Sequence, residues 1–280
     1  MDMTDLKSQR PTASTRPSPL DPELMAWMPR VRRRGTVCLD YDGTLTPIVE
    51  RPELAVLSEE VREVLGRLSQ LTPVTIVSGR DAEVVRTLVA LDKLGYVGSH
   101  GLDIVGPAVA GPRLRLVVGT EFLGELDVVE EELRRRAGSF AGVLIERKRF
   151  SISTHVRQAT PADRPAIEAI VDELRLAHPT LRREGGKLLY ELRPDVDWDK
   201  GRAVRWLLDG LGRDSSDALY VGDDLTDETA FVALDAPAPT VVVADTEGDR
   251  PTAARFWLRG PDDVLTLLQR LASTPLDDDV

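Results

Sequence analysis

Three times along this chain a short apolar run stops abruptly at residues suited to chemistry. Thr36 to Leu39 ends at Asp40, Val74 to Val77 ends at Ser78, Gly79 and Arg80, and Leu219 to Val221 ends at Gly222, Asp223 and Asp224. Unbroken apolar runs of this length suit strands buried on both faces of a parallel sheet, and between them lie segments with helical spacing. Ser58, for example, can cap a helix carrying Val61, Val64, Leu65 and Leu68 on one side. Strands alternating with helices imply an α/β fold with a doubly wound, Rossmann-like parallel sheet.

From about residue 110 the texture changes to helix, strand, strand, repeated once: TEFLGELDVVEEELRRRAG, GVLIERK and FSISTHV, then PADRPAIEAIVDELRLAHP, LRREGG and LLYELRP. This predicts an inserted smaller α/β cap domain over 110–190, one sheet under two helices, between core segments 31–109 and 191–272. Its open face is expected to act as a lid over the strand ends. Glu146 and Lys148, His155 and Arg157, and Glu191 and Arg193 are each two apart on a predicted strand and so share a face. Such a mixture of donors and acceptors suits a polyhydroxylated sugar, although alternating polar positions also mark any half-exposed strand.

Composition narrows the partners. A net charge of -11 offers no basic surface for nucleic acid, and no segment has the apolar length of a membrane span. Cys38, the single cysteine, rules out an internal disulfide and suits a reducing cytoplasm. The N-terminus lacks the apolar core of a signal peptide. A soluble, cytoplasmic monomer acting on a small molecule is expected. Residues 1–20 are rich in Pro, Ser and Thr and are expected to be disordered, with a leader reaching residue 30; 273–280 reads as an acidic tail. Arg30, Arg32, Arg33 and Arg34 are taken as a solvated run before the first strand.

The strand ends hold the candidate site. Asp40 and Asp42, two apart, are expected to leave the first strand on one face, where their repulsion calls for a cation between them, and Mg2+ prefers such oxygen ligands. Ser78 stands at a strand end and a helix start together, a position that favours phosphate; a capping box with Asp81 is the alternative. His100, between Ser99 and Gly101, can face a pocket. Lys200, in the first turn of a helix capped by Asp199, is poorly placed for the helix dipole and wants an anion nearby. Helix-start roles account for Asp224 and Asp227, less well for Asp223, which with Asp40 and Asp42 completes a Mg2+ site.

Asp40-Tyr41-Asp42-Gly43-Thr44 resembles the first motif of the haloacid-dehalogenase-like phosphatases, and Ser78, Lys200 and Gly222-Asp223-Asp224 follow in that family's order. Within it, LDYDGTLTPI, the SGR at 78–80, GSHGL, GKLLYELRP running into DKG, and GDDLTDE look like trehalose-6-phosphate phosphatases. The resemblance implies hydrolysis of a sugar phosphate, with Asp40 as nucleophile, Asp42 as acid then base, Ser78 and Lys200 holding the phosphoryl charge, and Mg2+ on the Asp40 and Asp223 carboxylates and the Asp42 carbonyl. It further implies Glu146, Lys148, Arg157 and Glu191 as sugar contacts; Arg80 and His100, each at a strand end, are taken as further candidates on the substrate side. Val156 departs from the aromatic residue common at that position. Alternatives are another sugar phosphate, such as sucrose phosphate or mannosylphosphoglycerate, a dehalogenase, or a silent sugar-phosphate sensor.

Overall fold

The three runs that end in polar residues lie side by side. In the computed structural model, which describes residues 22–49, 52–109, 112–185, 188–234, 236–245 and 250–274, β1 (Val37–Asp40) pairs in parallel with β2 (Val74–Val77) on one side and with β10 (Leu219–Gly222) on the other. All twelve of these residues are buried. Two helices pack beside these strands, the second at the spacing read above. α1 (Pro22–Arg34) buries Leu24, Met28 and Val31, and α2 (Glu59–Leu68) buries Val61, Val64, Leu65 and Leu68. Ser58 caps α2 by accepting the Val61 amide at 3.3 Å.

Helix α3 (Ala82–Val89) leads to β3 (Gly95–Gly98), which turns through Ser99–Gly101 into the antiparallel β4 (Asp103–Val105) and on to β5 (Arg115–Val117). After the insert come α6 (Lys200–Leu211), β10, α7 (Glu228–Ala233), β11 (Thr240–Val243), β12 (Phe256–Leu258) and α8 (Pro261–Ser273). The eight strands run in the order β12, β11, β10, β1, β2, β3, β4, β5. The chain crosses from β2 outward on one side and returns to β10 on the other, so β1 is the switch point where ligands of open α/β sheets bind.

The inserted unit has its own sheet and core. α4 (Leu123–Ala137) and α5 (Arg164–Ala177) set Leu126, Val129, Leu133, Ile167, Val171 and Leu174 against Ile145, Ile152, Tyr190 and Leu192. Those last four lie on β6 (Leu144–Lys148), β7 (Ser151–His155) and β9 (Leu189–Pro194), which with β8 (Leu181–Glu184) form an antiparallel sheet in the order β6, β7, β9, β8. Register places Glu146 opposite Ser153 and Ser153 opposite Glu191, so these polar residues share the face that the helices leave free.

Three expectations change. Residues 22–30, assigned to the leader, belong to α1, because Leu24, Met28 and Val31 recur at helical spacing and are buried, with Met25 and Trp27 partly buried against the same core; residues 1–21 lie outside the described ones. The compact units divide as 1–116 with 199–280 and 117–198, not at 110 and 190, since β9 is hydrogen-bonded between β7 and β8. Arg157 does not share a strand with His155: β7 ends at His155, and Arg157 sits exposed in the following turn. In the tail, Ser273 closes α8, and 275–280 lie outside the described residues.

Candidate active site

Asp40, the last residue of β1, is buried and accepts a hydrogen bond from Lys200 Nζ at 2.7 Å through Oδ1. Lys200 reaches it from the first turn of α6, which Asp199 caps by accepting the Arg202 amide at 2.9 Å. The same ammonium donates to Asp227 Oδ1 at 2.8 Å. The cation left unfavourably at a helix start is therefore held by two buried anions, neither of them near it in sequence.

Asp223 completes the group. One oxygen from each of Asp40, Asp223 and Asp227 lies within 4.8 Å of the others. Burial pushes the Asp40 carboxyl well above the ordinary carboxylate range; Asp227 and Asp223 add to the shift, and Lys200 opposes it without winning. Burial first, and then the Asp227 charge, push Asp223 up to about 7. Lys200 moves the other way from what its burial favours, because the charges of Asp227 and Asp40 raise it. Ionised together, three carboxylates against one ammonium would leave two negative charges in a largely buried place, which is why burial raises Asp40 and Asp223. An all-oxygen donor set with that excess fits a hard divalent cation.

Gly43 makes room for this grouping. Its φ of +82° suits glycine, and a Cβ there would stand 2.1 Å from Asp223 Oδ2. Thr44 Oγ1 donates to Asp223 Oδ1 at 3.4 Å.

Asp42 takes a different partner from the one expected. Arg80 Nε and Nη2 donate to its two carboxylate oxygens at 2.7 and 2.6 Å, so the cation answering the Asp42 side chain is a guanidinium, while Lys200 answers Asp40. The two side chains part because β1 stops at Asp40 and the chain turns, with the Leu45 amide bonding back to the Tyr41 carbonyl at 2.9 Å; alternation along a strand no longer applies past its end. Arg80, expected on the substrate side, is placed on Asp42.

Ser78 is buried at the end of β2, its hydroxyl accepting the Arg80 amide at 3.1 Å. The capping box with Asp81 is not formed: Asp81 is the N-cap of α3 without a side-chain cap bond, and it accepts the Ser99 hydroxyl at 2.6 Å instead. His100, at φ 56° in the turn after β3, donates its amide to the Ser78 carbonyl at 3.1 Å, and its ring lies against Gly79. Ser78, Arg80 and His100 thus come together on two zipped loops.

In the inserted unit, Glu191 Oε1 accepts from Ser151 at 2.7 Å, Ser153 at 3.0 Å and Lys148 at 3.1 Å. Glu146 pairs with His155 Nε2 at 3.0 Å, a hydrogen bond that holds its carboxyl below the usual range. Arg157 joins neither group in these contacts, although its carbonyl accepts from Arg164 at 3.2 Å.

Asp227 is the residue that sequence reasoning missed. Asp224 is indeed the cap, accepting the Leu225 amide, and Asp227 Oδ2 accepts the Asp224 amide at 3.0 Å, which closes a capping box. Yet its Oδ1 faces Lys200. One helix start needs one cap, and the surplus acid after GDD was the available signal.

A switch-point strand ending in a buried Asp, flanked by strands ending in Ser and Asp, with a buried Lys and an inserted α/β unit, defines a haloacid-dehalogenase-like phosphatase, a class that uses a divalent metal. Comparison with known proteins narrows the class. The trehalose-phosphatase family model matches residues 38–262. The chain is 34% identical over 278 residues to probable trehalose-phosphate phosphatase 3 of Oryza sativa subsp. japonica, covering 92% of this chain and 76% of that one. It is 39% identical over 246 residues to the trehalose-phosphate phosphatase of Mycobacterium tuberculosis, covering 86% and 62%. The C-terminal domain of C. albicans trehalose-6-phosphate phosphatase superposes with a TM-score of 0.72 at 26% identity, over 93% of this chain and 99% of that one. This chain belongs to the trehalose-phosphatase family.

Proposed function

We propose that this protein hydrolyses trehalose 6-phosphate to trehalose and inorganic phosphate, with Asp40 as the residue that is phosphorylated and released. The observation that carries the reading is the buried Lys200 bridging Asp40 and Asp227 beside Asp223. A carboxylate kept from water, with one oxygen held by an ammonium, is a positioned nucleophile. Mg2+ is the cation proposed at Asp40 and Asp223, with the Asp42 carbonyl; when bound it screens the repulsion between those acids and a phosphate dianion.

In the first step Asp40 forms a bond to phosphorus, the ester P–O bond breaks, and its electron pair leaves on the sugar oxygen, which takes a proton from Asp42. In the second, Asp42 takes a proton from water as that water bonds to phosphorus and the bond to Asp40 breaks. Arg80 donates to both oxygens of Asp42 and so orients it. To donate in the first step it must carry a proton, and Arg80 must then release one oxygen. Lys200 has two acceptors among the described residues for its three N–H bonds, so one remains for a phosphoryl oxygen. Ser78 lies at the strand end where it supports the same role.

The sugar is assigned to Glu146, Lys148, Arg157 and Glu191, with His100 on the substrate side. The polar face bearing Glu146, Ser153 and Glu191 supports this. A monomer without a nucleic-acid or membrane partner is in keeping with the acidic net charge of -11, and among the described residues no helix is long and apolar enough to cross a membrane. A cytoplasmic setting accords with the single, buried Cys38, whose thiol burial pushes up to about 12.

The direct test compares phosphate release from trehalose 6-phosphate with that from glucose 6-phosphate and sucrose 6-phosphate. Strong preference for the first is expected. Equal rates on all three would reduce the reading to a general sugar phosphatase.

A further inference from the structure

Behind Lys200 and Asp227 lies a residue that the proposed mechanism does not use. Tyr220, in the middle of β10, is fully buried, and its hydroxyl donates to Asp227 Oδ1 at 2.6 Å. Lys200 donates to that same oxygen at 2.8 Å, and the Asp224 amide to Oδ2 at 3.0 Å. Three donors therefore fix Asp227. The phenol ring is itself held, edge to face on Phe231 with centroids 5.7 Å apart at 87°.

A buried phenol needs an acceptor, but a strand facing this interior has no need of a phenol; phenylalanine fills the same volume without the polar atom. What the hydroxyl adds is a constraint on one carboxylate. Asp227 lies within 4.8 Å of Asp40 and Asp223 and could turn toward a cation held by them. A second donor on Oδ1 opposes that turn and keeps the oxygen toward Lys200.

We propose that Tyr220 is a positioning residue for phosphoryl transfer, acting through Asp227 to hold Lys200 with one N–H left for the phosphoryl group. The inference rests on the phosphatase reading above. It assigns Tyr220 to the transferring phosphoryl group and not to the sugar, so the two kinetic constants respond differently.

The test is Tyr220→Phe, which keeps the ring and removes one hydroxyl. Removing a hydrogen bond to a charged group lowers kcat about tenfold in this account, with KM for trehalose 6-phosphate changed less than about twofold. Inhibition by inorganic vanadate, a mimic of the phosphoryl group in transfer, weakens by about the same tenfold factor. Phe231→Leu is the control: it loosens the ring without touching the hydroxyl, and is expected to lower the melting temperature while leaving vanadate affinity in place. The proposal is overturned if Tyr220→Phe keeps kcat within about twofold of wild type, if kcat falls while vanadate affinity does not, or if Phe231→Leu reproduces both losses. Should the wild-type protein release no phosphate from trehalose 6-phosphate, the functional reading fails by itself, and vanadate affinity measured by calorimetry still decides the role of Tyr220.

Discussion

Arg80 grips Asp42 with both arms of its guanidinium, Nε to Oδ2 at 2.7 Å and Nη2 to Oδ1 at 2.6 Å, while its charge also lies 5.7 Å from the Tyr41 ring centre. The geometry is the planar fork that only arginine supplies. It orients the proposed acid and base of the reaction across 38 residues of sequence.

Because the Asp42 side chain is 39% exposed, the pair contributes only about 1 kcal/mol or less to stability, and its loss should appear in the rate. Arg80→Ala is expected to lower kcat by about a hundredfold with little change in melting temperature, and Arg80→Lys to rescue little, since an ammonium cannot hold both oxygens. Steady-state kinetics beside a thermal melt checks this. Near-full rescue by lysine would mean that charge alone suffices.

Lys200 is the opposite case, an ion pair 3% exposed between two carboxylates. Lys200→Met leaves those acids uncompensated and should destabilise the metal-free protein by about 3 kcal/mol or more. It should also abolish turnover without weakening Mg2+ binding, since removing a positive charge favours another cation. Calorimetric titration of the variant reads the second point; a large loss of Mg2+ affinity would contradict it.

The acid cluster makes metal binding depend on pH. Asp223 rises from 3.8 to about 7, first through burial, so the folded protein binds a proton that the unfolded chain has released. Stability of the metal-free protein therefore falls as pH rises from about 4 to about 7, and Asp40 acts in the same direction. Mg2+ binds the deprotonated acids, so the rise in melting temperature that it produces should be small near pH 5, grow through about 7 and level off above. Melts in Mg2+ and in EDTA across this range give that difference directly; a gain independent of pH would remove the coupling.

Gly43→Ala should lose activity for a local reason. Strain at φ +82° accounts for about 1 kcal/mol, and the added Cβ would displace Asp223 Oδ2, 2.1 Å away. Gly212, at φ +63° with nothing within 4 Å of a Cβ, is the control: Gly212→Ala should share the strain and keep full activity. Equal activities for the two variants would show that Asp223 does not need the space.

These residues show what a sequence can and cannot disclose. Asp40, Ser78 and Asp223 were legible because each ends a run too apolar to be anything but a buried strand, and burial stops where chemistry starts. Lys200 was legible as a charge in the wrong place for a helix dipole. Asp227 was hidden because a capping explanation already satisfied it, and that explanation proved true as well. The Arg80–Asp42 pair was hidden because it depends on where β1 stops, and the turn at 41–46 sets the direction of Asp42. Helix α1 was hidden for want of contrast: Leu24 to Met28 are apolar without a break, so the buried stripe of Leu24, Met28 and Val31 shows only against the core that covers it.

The central claim is that phosphate passes through Asp40. Rapid quenching of the enzyme during turnover of trehalose 6-phosphate, followed by mass spectrometry of its peptides, should find the phosphoryl group on the segment containing Asp40, and Asp40→Asn should carry none and turn nothing over. A phosphoryl group on any other side chain, or an Asp40→Asn enzyme retaining even about a tenth of the wild-type rate, would contradict the account.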